Sequence, residues 1–266
     1  YYIIIIKSMK SFNTKILAVS NQKGGVGKTT SAVNIATFLA ITETPTLLID
    51  MDPQANTSTG LGLDPQSELF SIYDLLINNK PIKKCIQKTE IDYLDIISST
   101  PKLAGAEIEL VSMFTRESIL KDSLSNIYGK YKYIIIDAPP SLGLLTINVL
   151  TASDSVIIPI QCEYYALDGL SQLLNTIRLI QKNLNPKLII EGILITMYDS
   201  RLNLSKQVVN EVKEYFGDTV YNTFIHRNVR LGEAPSHGKP IILYDPASTG
   251  SKNYMDLVTE ILQKNE

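Results

Sequence analysis

The sequence predicts a single-domain α/β fold, a doubly wound and mostly parallel sheet with helices on both faces. Three observations predict it. Strand and helix signals alternate along the chain, the order that joins parallel strands through helical crossovers. Several strand segments, such as Tyr133-Ile134-Ile135-Ile136, are continuous apolar runs, as expected for strands covered on both faces. A glycine-rich stretch joins the first strand to the first helix.

The elements follow in order. Ile16-Leu17-Ala18-Val19-Ser20 is apolar and partly β-branched, and opens the sheet as strand 15–20. From Ser31 to Ala40, residues Ala32, Val33, Ile35, Ala36, Leu39 and Ala40 recur at helical spacing, giving helix 28–41. Further strands are expected at 45–50, 92–97, 132–137, 155–160, 188–196 and roughly 219–225. Further helices are expected near 69–77, 103–111, 115–127, 141–151, 167–183, 203–216 and 251–264. Pro45, Pro65, Pro81, Pro101 and Pro186 punctuate loops, and no linker or repeat divides the chain.

At 266 residues the chain is within the range of one α/β domain. A hydrophobic content of 44% fits a packed core rather than disorder. The net charge of −2 argues against a globally basic nucleic-acid binder but leaves room for a basic patch on one face. Cys85 and Cys162 are far apart with no CxxC spacing, which excludes a zinc framework and points to reduced thiols. Tyr1 to Ser8 precede the first Met, Met9; the apolar run within them is far too short to span a bilayer and lacks a signal peptide's basic start. Residues 1–12 are read as an N-terminal extension, disordered or mis-started, ahead of a folded domain at 13–266.

Chemistry concentrates in three places. Lys23-Gly24-Gly25-Val26-Gly27-Lys28-Thr29-Thr30 carries a lysine at each end of a glycine loop. Lys28 is placed to reach β- and γ-phosphates, the glycines let backbone N–H groups close on them, and the Thr29 hydroxyl is a Mg²⁺ ligand. The loop lies between a strand and a helix N-terminus, where free amides and the helix dipole favour an anion. Lys23 is not needed by an ordinary phosphate loop; it is placed to reach a phosphate in a second subunit, coupling nucleotide to dimerisation. Strand 45–50 ends in Asp50-Met51-Asp52-Pro53-Gln54. Asp52 is the candidate to position attacking water, and Asp50 to lie behind the metal. Strand 132–137 ends in Asp137-Ala138-Pro139-Pro140, the apolar-run-plus-acid element that holds Mg²⁺ through water in phosphate-loop NTPases.

Together these three motifs resemble the deviant Walker-type ATPases of the ParA/MinD group. Leu103-Ala104-Gly105-Ala106-Glu107, Gln161-Cys162-Glu163-Tyr164-Tyr165-Ala166-Leu167, Asn228-Val229-Arg230-Leu231-Gly232-Glu233-Ala234-Pro235-Ser236 and Tyr244-Asp245-Pro246 resemble its chromosomal ParA (Soj) branch, from about Lys15 to the end. The resemblance implies a Mg²⁺-dependent ATPase domain at 13–266. It implies an ATP-bound sandwich dimer that binds double-stranded DNA without sequence preference. It implies hydrolysis stimulated by a ParB-type centromere-binding partner, to segregate a chromosome or plasmid, in a cytoplasmic, nucleoid-associated protein. On this reading Lys23, Lys28 and Asp52 are catalytic, Lys23 acting across the dimer. Gly24, Gly25, Val26, Gly27, Lys28, Thr29 and Thr30 hold the phosphates; Thr29, Asp50 and Asp137 serve the metal. Met197, Asn228 and Pro235 lie in segments that approach adenine, and Arg201 and Arg230 map to the DNA-binding surface. Two departures stand out: His226 where the family often has Pro, and a loop 41–45 without the usual Gly-Lys pair.

Other classes fit less well. A MinD-like membrane-associated division regulator needs a basic amphipathic C-terminal helix, whereas Tyr254 to Lys264 has one basic and two acidic residues. A cluster-bridging reductase of the nitrogenase iron-protein type needs two suitably placed cysteines, and neither Cys85 nor Cys162 is in that context. A non-catalytic nucleotide-binding module has no use for Asp52 and Asp137 together.

Overall fold

Strand β1 (Lys15–Val19) leads through the glycine loop into helix α1 (Lys28–Ile41), and β2 (Thr46–Asp50) follows. The computed structural model describes residues 11–64, 69–163 and 168–265. Short helices α2 (Asn56–Gly60), α3 (Ile72–Leu76) and α4 (Ile82–Cys85) precede strands β3 (Gln87–Lys88) and β4 (Leu94–Ile97). Helices α5 (Leu103–Glu109) and α6 (Ile119–Ser125) lead to β5 (Tyr133–Asp137), α7 (Leu144–Ala152) to β6 (Ser155–Gln161), and α8 (Asp168–Asn183) to β7 (Ile189–Thr196). Then come α9 (Asn203–Phe216), α10 (Val229–Glu233), α11 (Ile241–Tyr244) and α12 (Thr249–Lys264).

The strands form one sheet in the order β3-β4-β2-β5-β1-β6-β7, parallel throughout except where β3 pairs with β4. This is the expected doubly wound sheet. Its order sets the C-terminal ends of β2, β5 and β1 side by side, so the three chemical motifs meet at one edge. Ligands of such sheets bind in that crevice.

Alternate strand residues feed two cores. Ile16, Ala18, Leu47, Ile49, Ile134 and Ile136 pack on one face, and Leu17, Val19, Leu48 and Ile135 on the other. Helix α1 is buried from Ser31 to Ala40 because it lies between the sheet and α12, where Ser31 Oγ and Tyr254 OH are 3.0 Å apart. The apolar face of α12, including Tyr254, Leu257, Val258 and Ile261, is occupied by this core. No helix among the described residues is long and apolar enough to cross a membrane. Cys85 and Cys162 are buried free thiols.

The structure departs from the expected elements at several points. Residues 219–225 are not a strand. The segment touches β7 only through a bridge from Ile193 to Val220 and scattered bonds, because the Asn222 and Thr223 amides donate to the Glu260 carboxylate instead. Strand β3 was not expected; two residues carry no alternation to read. The helix expected at 69–77 begins at Ile72, where Ser71 and Asp74 form a capping box. The one expected at 115–127 begins at Ile119, after Thr115 takes a left-handed φ of 52°. Residues 1–10 of the expected extension lie outside the described residues. The Phe12 amide already donates to Gly129 O at 3.0 Å.

Candidate nucleotide site

The glycine loop owes its path to two residues. Gly25 (φ 74°) and Gly27 (φ 85°) occupy the left-handed region that glycine enters without steric cost. Gly27 is the N-cap of α1 and offers no side chain to the first turn, so its amides face the loop free for an anion. Asn21 fixes the loop's start. Its Nδ2 donates to Pro159 O on β6 at 2.7 Å, and its Oδ1 accepts from the Lys23 amide at 3.0 Å. At the far end, the Thr196 hydroxyl donates to Val26 O at 2.9 Å.

Lys28 curls back across the loop, and its ammonium donates to Lys23 O at 2.8 Å. Burial lowers its pKa, while the charges of Asp137 and Asp52 act to raise it. The cation is therefore held over the loop and faced by two carboxylates.

Asp50 and Asp137 end adjacent strands as register partners. Thr29 Oγ1 and Thr57 Oγ1 each donate to Asp137 Oδ2 at 2.7 Å. Asp137 Oδ1 is buried with no protein partner among the described residues. Asp50 is saturated: Oδ2 accepts from the Ser58 amide at 2.9 Å and its hydroxyl at 2.7 Å, and Oδ1 accepts from the Asp52 amide at 3.1 Å. Burial pushes Asp50 up to about 7, with the Asp137 charge adding to it, and pushes Asp137 up to about 6. Asp52 is buried beyond the strand, and its Oδ1 accepts from the Gln54 amide at 2.9 Å.

This donor set suits Mg²⁺. A threonine hydroxyl and a carboxylate with one free oxygen are hard oxygen donors. Among the described residues no group of three or more His, Cys, Asp or Glu gathers to hold an ion. Phosphate oxygens and water would complete its shell, as this small cation prefers.

Lys23 stands at the rim. Its Nζ lies 2.9 Å from Glu163 Oε2, and Gln161 Nε2 donates to the other oxygen of that carboxylate at 2.6 Å. Two cavities flank Thr30. One, of about 320 Å³, is lined by Gly27, Thr196, Met197, His226, Asn228 and Tyr254; the other, of about 430 Å³, is lined by Thr29, Asn34, Pro235 and Lys239. The structure thus sets Met197 and Asn228 in one cavity and Pro235 in its neighbour. Met197 adopts a left-handed φ of 51°, a strained conformation of a kind that clusters at functional sites. Asn228 also caps α10, accepting from the Arg230 amide at 2.8 Å.

Arg201 lies in the loop after β7 and Arg230 in α10, and the segments leading to them are joined by a Tyr198–His226 bridge. Both are exposed and both are paired. Arg201 grips Asp199, and Arg230 meets Glu233 at 2.9 Å and Asp245 at 3.3 Å.

Sequence reasoning missed Asn21, Thr57, Ser58, Glu163 and Thr196. A faint signal for two of them was present in Asn56-Thr57-Ser58-Thr59, a run of small polar residues after the Asp52 turn. Ala55, at a left-handed φ of 54°, swings that run back under the two buried carboxylates. The others act through contacts spanning more than a hundred residues, which spacing cannot show.

Comparison with known proteins agrees with the geometry. An AAA domain family matches residues 14–190. The chain is 58% identical to the sporulation initiation inhibitor protein Soj of Bacillus subtilis, over 93% of this chain and 98% of that protein. It is 53% identical to the chromosome partitioning protein ParA of Myxococcus xanthus, over 94% and 89%. Among solved structures, it matches a putative plasmid partition protein of Borrelia burgdorferi bound to AMPPNP at a TM-score of 0.80 and 29% identity, covering 95% of this chain and 100% of that one. Cobyrinic acid a,c-diamide synthase of Mycobacterium smegmatis with bound ADP and magnesium gives 0.84 at 35% identity, covering 94% of each chain. The chain belongs to the ParA/Soj family of chromosome-partitioning ATPases.

Proposed function

We propose that this chain binds ATP with Mg²⁺, closes into a sandwich dimer, binds duplex DNA without sequence preference, and hydrolyses ATP when a ParB-type partner engages it. The observation that carries the reading is the Thr29–Asp137–Thr57 cluster under the phosphate loop, with Asp137 Oδ1 unpartnered among the described residues. Thr29 and Asp137 would hold the ion, Thr29 directly and Asp137 through water. Mg²⁺ when bound offsets the phosphate charge and orients the terminal phosphate.

The chain's own residues do the rest. Loop amides from Gly24 to Thr30 fix the phosphates, and Lys28 neutralises charge on the leaving and transferred groups. Asp52 orients and polarises the attacking water. Asp50 acts at one remove, holding the Asp52 amide and anchoring Ser58. Lys23 leaves Glu163 to reach the phosphates of a facing copy, which makes dimerisation depend on the triphosphate. The base sits in the cavity lined by Met197 and Asn228, with Pro235 beside it. Because Asn228 also caps α10, the base pocket and Arg230 share a support. Binding DNA in this way places the protein on the nucleoid.

ATP turnover measured alone, with random-sequence duplex DNA, and with DNA plus a ParB-type partner tests this reading. Slow turnover rising at least tenfold only in the last mixture supports it. Fast turnover indifferent to both additions contradicts it.

A further inference from the structure

The DNA face carries its own competitors for phosphate. Arg201 Nε and Nη2 donate to Asp199 Oδ1 and Oδ2 at 2.9 and 2.6 Å, two parallel bonds of the kind a phosphate accepts. The Asp199 side chain is 14% exposed against 86% for Arg201, so the carboxylate is tucked beneath a guanidinium that faces solvent. A second cation lies in the adjoining segment. Arg227, which the sequence reading passed over, is exposed, and its amide is pinned to Tyr198 O at 3.0 Å. The hydrogen bonds from the Arg201 side chain and amide, with a smaller contribution from the Arg227 charge, hold Asp199 well below the usual carboxylate range, so it stays ionised at any physiological pH. The pairing recurs at Arg230. It meets Glu233 and Asp245, and Glu233 Oε2 also accepts from Tyr244 OH at 3.1 Å.

We propose that the DNA face is a set of arginine–carboxylate pairs, Arg201 on Asp199 and Arg230 on Glu233 and Asp245, in which backbone phosphate displaces the carboxylates. The inference rests on the DNA-binding reading above and adds how its strength is set. Each phosphate contact exchanges one anion for another, so a single subunit gains little from any one contact. Two copies of the face in one dimer then make the difference between weak and useful binding. Local pairing also reconciles two exposed arginines on this face with a chain of net charge −2. Contacts of this kind recognise phosphate and carry no base information.

The test is the affinity of the dimer, held by a non-hydrolysable ATP analogue, for random-sequence duplex DNA. Asp199→Asn keeps the oxygen that accepts the Arg201 amide at 3.0 Å, removes the charge, and replaces the oxygen that accepts from Arg201 Nη2 with an NH2 donor. It should bind about 2- to 30-fold tighter, the range for releasing two exposed ion pairs per dimer. Arg201→Ala should bind more weakly. Glu90→Gln, at the far edge of the sheet, alters net charge equally and should change affinity by less than twofold. Glu233→Gln against Arg230→Ala repeats the comparison at the second pair, and decides the matter if Asp199→Asn does not fold.

Weaker binding by the arginine variants with no gain from Asp199→Asn or Glu233→Gln overturns the proposal while leaving DNA binding at this face intact. An equal gain from Glu90→Gln overturns it too, since net charge alone would then account for the effect. If no arginine variant changes affinity, the DNA reading of this face fails and the proposal falls with it.

Discussion

Thr29 Oγ1 donates to Asp137 Oδ2 at 2.7 Å, while the other oxygen of that carboxylate is buried with no donor to accept from among the described residues. A buried charge with one unsatisfied oxygen is costly to the fold, and this one lies beside a second buried acid, Asp50. The site is therefore built for an occupant, and it should trade stability for function.

Asp137→Asn should separate the two. The amide nitrogen can take the unpartnered position and leave the oxygen to Thr29 and Thr57. In the ion-free protein the Asp137 pKa is raised to about 6, so the folded state binds the proton more tightly than the unfolded chain. Wild type then loses stability as pH rises from about 4 through about 6, relative to a variant that cannot ionise. Thermal melts at pH 5 and pH 8 should show the variant gaining on wild type at the higher pH. Its Mg²⁺-dependent ATP turnover should fall about 10- to 100-fold. A variant that loses ground at pH 8 would contradict this.

Asp52→Ala should slow hydrolysis by roughly 10²-fold or more, the range for a positioned acid or base, with ATP affinity little changed. The ATP-bound dimer should then persist. Single-turnover kinetics separate the two effects, and near-wild-type turnover moves the role elsewhere.

Arg201→Ala and Arg230→Ala should weaken binding uniformly across DNA sequences and leave ATP binding unchanged. Each substitution removes two charges from a dimer, so the slope of log affinity on log salt should fall by about 1.8, at about 0.9 per phosphate contact. A salt titration reads it directly, and an unchanged slope in both variants would remove these arginines from the DNA face.

A prediction about the fold rests on Gly192 in β7. A Cβ there would overlap the Tyr221 ring, which is fully buried. Gly192→Ala should cost about 1–3 kcal/mol, the range for overpacking a core, measured by urea unfolding. A cost below a few tenths would mean the ring moves freely.

The sheet was legible because its strands are apolar runs and its phosphate loop has a mechanism attached to each residue. Lys28, Thr29 and Asp137 were each marked by a motif, and the pairing of β1 with β5 brings Thr29 against Asp137. Strand 219–225 could not be judged: its pattern suits a strand, but Glu260, some forty residues away, captures the amides that would have paired. The sequence motif set Asp50 behind the metal and Asp52 at the attacking water, but not what holds either in place. Only Ser58 folding back under β2 distinguishes the saturated acid from the one beyond the strand. The Arg201–Asp199 pair sits two residues apart, yet spacing alone does not say whether a loop brings such neighbours together.

The central claim is that the triphosphate brings two copies face to face through the glycine loop, and Gly24 gives the cleanest access to it. Among the described residues nothing lies within 4 Å of where a Cβ on Gly24 would sit, and its backbone is outside the left-handed region, so a side chain there leaves the monomer undisturbed. It would stand directly in the path of a facing loop. Sedimentation velocity with Mg²⁺ and ATP should show wild type as a dimer. Gly24→Val and Lys23→Ala should remain monomers, with ATP still bound by Gly24→Val. A normal dimer from both variants would contradict the account.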